Sequence, residues 1–295
     1  MLRRAFGVLL FIGLAAAMSL AQQQEGYLDV YVAHVKPERR AEFDIVNKKM
    51  AEANRRHNGD TWLALETAYG EQNTVSFSSA RTSYAEVEKG FDAFKGALDK
   101  AYGEAGTTAL MHEFDNTLVS SRTEIRQRRW DLSYNPPADA AAYIQAIGKT
   151  RWIRSVIVRV RPGHAQEFEA ELKEIATASQ KSNQPGMRWV SQVTSGGNPS
   201  TYVLTRLLTH LDELDHATPM QEMLGEEGYQ RFQKMNADAV AGVEYVIFRV
   251  VPELSNPPAE IAATAPDFWN PKPKAAATPK SKAAETGKPA AKEKP

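Results

Sequence analysis

Apolar positions fall into short β-rich runs and helical stripes, and both kinds recur in a fixed order. Leu28 to Val35 is rich in β-branched and aromatic residues and is bounded by Gly26 and Pro37, which predicts a strand. Proline cannot extend a strand ladder but fits the first turn of a helix. A helical stripe follows, with Ala41, Ile45, Met50 and Ala53 on one side and Phe43 alongside. Trp62 to Ala68 and Thr74 to Ala80 then flank Gly70-Glu71-Gln72-Asn73, the pattern of a hairpin. A helical region from Tyr84 to about Asn116, broken at Gly90 and Gly106, leads to a closing strand from Arg122 to Trp130.

The same order returns in the second half. Ile153 to Val160 before Pro162 gives a strand, and Phe168, Leu172, Ile175 and Ala176 mark a helix. Trp189 to Thr194 and Thr201 to Leu208 flank Gly196-Gly197-Asn198-Pro199. A helical region from Leu211 to about Ala239, broken at Gly225 and Gly228, precedes a strand from Val243 to Val251. Matching residues tie the halves together. Val35, Pro37, Glu42 and Phe43 recur 125 positions later, Trp62, Thr67, Gly70 and Thr74 recur at 127, and Gly106 recurs at 122. Arg128 and Asn135-Pro136-Pro137-Ala138 recur at 121. A duplicated domain accounts for these matches.

Each unit reads βαββαβ, the ferredoxin-like arrangement, with helices on one face of an antiparallel sheet. The bare face must be covered. The predicted class is therefore α+β: two tandem ferredoxin-like βαββαβ units packing sheet to sheet as an intramolecular α/β barrel. The expected boundaries are 1–21 for a signal peptide, 22–137 and 151–258 for the units, 138–150 for a linker and 259–295 for a disordered tail. With its aromatic strand starts at Trp62 and Trp189 and turn entries at Pro37 and Pro162, residues 22–258 resemble the dimeric α/β-barrel superfamily. That group includes cofactor-free antibiotic-biosynthesis-type monooxygenases, haem-degrading enzymes, chlorite-dismutase-like and NIPSNAP-like proteins.

Composition narrows the classes. Arg3 and Arg4, the apolar stretch from Ala5 to Met18 and the small residues of Ser19-Leu20-Ala21 form an export signal, with Gln22 as the expected first residue after cleavage. A periplasmic or secreted location follows, with no transmembrane segment after that cleavage. The absence of cysteine excludes disulfides, thiolate metal sites and a cysteine nucleophile. Seven lysines against Glu285 and Glu293 give residues 272–295 a charge of +5, and the leader carries +2, so a chain of net zero leaves residues 22–271 at −7. This acidic body argues against nucleic acid as a partner, while the lysine-rich tail suits contact with an anionic envelope surface. Internal pairing of the two units favours a monomer.

Candidate chemistry is sparse. No phosphate-cradling glycine loop, nucleophile elbow or HExxH pair is present, so no metal or cofactor is expected. Haem-binding relatives take an axial histidine from the helix before the last strand. His112 lies there, yet its repeat mate is Lys234 and a surface position suits it as well. Arg122, Glu124, Arg126 and Arg128 alternate and so leave one face of their strand. Their 121-offset mates, Val243, Tyr245, Ile247 and Arg249, are largely apolar. Pointing inward, Arg126 and Arg128 suit a carboxylate or phosphate, beside Tyr31 or His34 on the opening strand. Pointing outward, the row is a charged guard against edge aggregation. Trp62 and Trp189 read as core anchors. Two functions stay open: an exported, non-catalytic barrel binding a small ligand or partner, and a cofactor-free monooxygenase-like enzyme acting on a small aromatic substrate.

Overall fold

The computed structural model describes residues 26–270. The expected signal, the Gln22 cleavage point and the lysine-rich stretch beyond 270 lie outside the described residues. The first unit runs β1 (Tyr27–Val35), α1 (Arg40–Arg56), β2 (Leu63–Tyr69), β3 (Thr74–Arg81), α2 (Tyr84–Asn116) and β4 (Leu118–Arg128). After α3 (Ala140–Lys149), the second runs β5 (Trp152–Val160), α4 (Ala165–Lys181), β6 (Trp189–Ser195), β7 (Thr201–Leu208), α5 (Met220–Ala239) and β8 (Val240–Val250). Two short helices follow, α6 (Ala259–Thr264) and α7 (Pro266–Trp269).

Each unit forms an antiparallel four-stranded sheet, in the orders β4-β1-β3-β2 and β8-β5-β7-β6. The sheets join edge to edge, β2 to β8 and β4 to β6, and close one eight-stranded barrel. Closure removes every free edge, so the charged-guard reading of β4 does not hold: β4 is hydrogen-bonded on both sides, to β1 and β6.

Register corrects the sequence match by one residue in two places. Leu28 faces Arg126 and its mate Ile153 faces Phe248, so the counterparts of Arg122, Glu124 and Arg126 are Glu244, Val246 and Phe248. Leu63 faces Ser78 and Trp189 faces Thr205, which makes Leu63 rather than Trp62 the mate of Trp189. A one-residue slip in a strand exchanges its faces. Val243, Tyr245 and Arg249 therefore point outward.

The helical break expected at Gly225 is present, while that of the first unit falls at Gly103 and not at Gly90 or Gly106. Gly103 and Gly225, which are 122 residues apart, carry the positive φ (69° and 67°) that kinks α2 and α5. Gly90, Gly106 and Gly228 lie inside helix.

The expected linker and the start of the expected tail are the same element. Each Asn-Pro-Pro-Ala run leads into a helix, α3 or α6, and these two pack together across one end of the barrel. Asp139 caps α3 by accepting from the Ala142 amide at 2.7 Å. Gly148 lies so close to Thr264 that a Cβ there would collide with its side chain. Trp269 is 1% exposed and donates from Nε1 to the Gly148 carbonyl at 3.0 Å. The expected disordered tail from 259 is thus ordered as far as Asn270, where Ile261, Phe268 and Trp269 pack against the barrel end.

Candidate functional site: two unlike cavities

The first cavity is the barrel interior, about 460 Å³. Its closed end is apolar, where Ile153, Trp189, Leu207 and Phe248 meet Tyr143 and Ile147 of α3 and Ile261 of α6. Hydroxyls line its middle. Among the described residues, those of Ser76, Ser78, Ser155, Ser191 and Thr205 have no protein hydrogen-bond partner. The other end carries His34, Glu71, Arg122, Arg159 and Glu244. Gly196 (φ 78°) touches the Thr123 carbonyl there so closely that only glycine fits.

The β4 row points into this space. Glu124 accepts from Arg122 Nε and Arg126 Nε, each at 2.8 Å. Burial alone would raise its carboxyl, but the Arg126 and Arg122 charges and hydrogen bonds win and hold it below its ordinary value. Arg128 stacks near Trp130 and Trp189, at 5.3 and 5.5 Å from their ring centroids. His34 faces Thr74 and Glu71, each at 3.3 Å. Tyr31 is not in this group. As an odd-numbered residue of β1 it leaves the opposite face from His34, and it packs on Phe77 and Phe114 beneath the helices. His112 is exposed on α2, with Asn116 Nδ2 at 3.0 Å from its Nδ1. Among the described residues no group of three or more His, Asp or Glu is placed to hold a metal ion.

The second cavity was not visible from the sequence. It lies outside the barrel in the second unit, between the outer face of β5, β7 and β8 and helices α4 and α5, has a volume of about 670 Å³ and opens to solvent. Phe168, Leu172, Ile175, Leu204, Met223 and Met235 form its apolar walls. In the first unit the corresponding space is filled. Phe43 packs on Phe77 and Phe114 at centroid distances of 6.3 and 5.7 Å, and Tyr31 closes the cluster. Three positions are smaller or polar in the second unit, while Tyr202 stands where the first has Val75 and packs on Phe168 at 5.0 Å beside the cavity. Val156 stands where the first has Tyr31, Leu204 where it has Phe77, and Asn236 where it has Phe114.

The charged groups differ just as sharply. Arg154 and Arg206 sit directly opposite each other on β5 and β7, and Arg188 precedes Trp189, which faces Thr205, the neighbour of Arg206. Burial lowers Arg188 to about 10, and burial followed by the Arg154 charge lowers Arg206. Glu171, the one carboxylate among the lining residues, is held above its ordinary range by burial and then by Glu174. In the first unit, by contrast, the buried Arg81 binds Asp60 through two bonds, at 2.7 and 2.6 Å, with Asp29 at 3.5 Å.

Residues 155–234, which supply most of the walls of this second cavity, match the family model described as antibiotic biosynthesis monooxygenase. The second unit resembles that family. With its twin it forms, within one chain, a closed eight-stranded barrel. No curated protein matches the chain by sequence. Among solved structures, the chain is similar to a putative monooxygenase from Lactobacillus acidophilus at 10% identity and a TM-score of 0.45, covering 76% of this chain and 93% of that one. It is similar to an anthrone oxidase-like protein at 12% identity and a TM-score of 0.48, covering 79% and 93%. A chlorite dismutase from Candidatus Nitrospira defluvii aligns at 6% identity and a TM-score of 0.46, covering 78% and 92%. No helix among the described residues is long and apolar enough to cross a membrane.

Proposed function

We propose that the chain is an exported, non-catalytic binding protein that holds a small organic molecule with an apolar body in the lateral cavity of its second unit. The large-to-small changes at Val156, Leu204 and Asn236, which border the cavity, carry this reading. An apolar-walled space of about 670 Å³ has the size of a small-molecule site, and at the corresponding place in the first unit the side chains of Tyr31, Phe43, Phe77 and Phe114 pack on one another. The barrel interior is the weaker candidate, because Glu124 already engages Arg122 and Arg126. Export rests on the leader from Met1 to Ala21; intact-mass measurement of the exported chain is expected to give Gln22 as its first residue, and a retained Met1 would remove this part.

The neutral fluorophore N-phenyl-1-naphthylamine tests the cavity. Titration is expected to give saturable fluorescence enhancement at one site per chain, and no saturable binding would overturn the reading. The family match of residues 155–234 favours a second reading, a cofactor-free monooxygenase acting on a small aromatic substrate, in which Glu171 is the one lining carboxylate able to accept a substrate proton. Protein-dependent oxygen uptake on adding a hydroxylated anthracene would favour this second reading over the first.

A further inference from the structure

Three arginines face the lateral cavity without an acidic partner. Arg154, Arg206 and Arg188 lie side by side across β5, β7 and the residue before β6, all on the outer face of the sheet. Like charges directly opposite on neighbouring strands repel, and an uncompensated charge partly withdrawn from water, as on each of these half-buried residues, is costly. Yet among the described residues none of the three has a carboxylate within ion-pair distance. Arg188 has only a long contact to the Leu172 carbonyl at 3.4 Å, and its Nε is fully buried with no hydrogen-bond partner. Arg154 rests over the ring of Tyr245 at 5.4 Å. Arg206 feels a carboxylate only at longer range, from Glu213.

The repeat shows that the fold does not require this. The first-unit mates of Arg154 and Arg206 are Asp29 and Ser79, which also face each other, and the arginine buried there, Arg81, is neutralised by Asp60 and Asp29. The second unit has Arg154 where the first has Asp29, and Glu171 is the one carboxylate that lines the same space. A guanidinium fork matches a planar carboxylate or a related oxyacid with paired N–H donors, and the missing negative charge is then supplied by the ligand.

We infer that Arg154, Arg188 and Arg206 are the anchoring residues for the acidic group of an amphipathic organic anion, whose apolar body lies among Phe168, Leu172, Ile175, Leu204 and Met235. This rests on the binding role proposed for the lateral cavity and adds the charge of its ligand.

Two fluorophores with one ring skeleton separate the two ideas. The anion 1-anilinonaphthalene-8-sulfonate is expected to bind the wild-type protein at least tenfold more tightly than neutral N-phenyl-1-naphthylamine, and its affinity is expected to fall with added salt. Arg188→Gln and Arg206→Gln, measured separately, are each expected to weaken the anion about tenfold and the neutral probe less than twofold. Removing an uncompensated charge is also expected to leave the melting temperature of the ligand-free protein unchanged or higher. Equal affinities of the two probes, unaltered by either substitution, overturn the anion inference and leave the cavity reading standing. Failure of both probes to bind overturns the cavity reading itself.

Discussion

Refilling the second unit with the residues of the first, by Val156→Tyr, Leu204→Phe and Asn236→Phe together, is expected to abolish ligand binding in the lateral cavity and to stabilise the protein. The three positions are aligned by strand register and not by similarity alone. Tyr31 faces Phe77 on β1 and β3 as Val156 faces Leu204 on β5 and β7. The chain leaves α2 after Thr117 as it leaves α5 after Ala239, because Lys36 and its mate Arg161 donate to those two carbonyls. Phe43 and Phe168 already match, and the incoming rings pack beside Tyr202 and Phe232, which stand where the first unit has Val75 and Leu110. Cavity filling of this kind contributes about 2 kcal/mol, or about 4–8 °C in melting temperature for a body of this size. Calorimetry and N-phenyl-1-naphthylamine titration check both halves of the expectation. A triple variant that folds and still binds the probe as tightly as wild type would place the ligand elsewhere, with the barrel interior as the next location to test.

Asp60→Ala is expected to destabilise the first unit strongly, at about 3–5 kcal/mol. Arg81 is 8% exposed at its side chain and is held by both Asp60 oxygens, whereas Asp29 makes one contact at 3.5 Å. Burial opposes the Arg81 charge, but the Asp60 and Asp29 bonds outweigh it and raise its pKa. Gly90 of α2 lies directly against that guanidinium, leaving no room for a replacement partner to swing in. Urea unfolding of Asp60→Ala, beside the double change Asp60→Ala/Arg81→Met, separates a lost contact from a stranded charge. The double variant is expected to recover most of the loss, and equal losses in both would show that the charge is not the cause. Asp29→Ala is expected to cost less, since burial outweighs Arg81 at that carboxyl and raises its pKa.

Much of the architecture was legible because duplication writes the same element order twice. Recurring Pro37/Pro162 and Phe43/Phe168 positions disclosed two βαββαβ units, and the need to cover two bare sheet faces implied the barrel. The site was less legible, for a reason of register. Matching Arg128 to Arg249 by identity set β4 against β8 one residue out, which exchanged inner for outer positions along the strand. Identity between repeats marks common descent, whereas pairing with β1 and β5 decides the face. The same parity places Tyr31 away from His34, and odd and even positions on one strand were enough to show it. The lateral cavity left a fainter trace. Its walls come from five elements, and only the large-to-small changes at Val156, Leu204 and Asn236, read at the correct offsets, reveal it. Arg188 and Arg206 attract no notice in sequence because strand pairing alone brings them beside Arg154. The helices α3 and α6 were missed because both are short and alanine-rich, and their apolar faces acquire meaning only against the barrel end.

Joining both halves of the barrel in one polypeptide has a consequence for how such a protein can change. A symmetric pair of identical subunits must carry any destabilising hollow twice, since one gene writes both copies. Here the aromatic cluster around Phe43 and Phe114 remains whole while its twin, still packed around Phe168 and Tyr202, opens a cavity at its side. One half is thereby free to specialise, with the other as its structural ballast, at half the loss of packing that a symmetric assembly would bear.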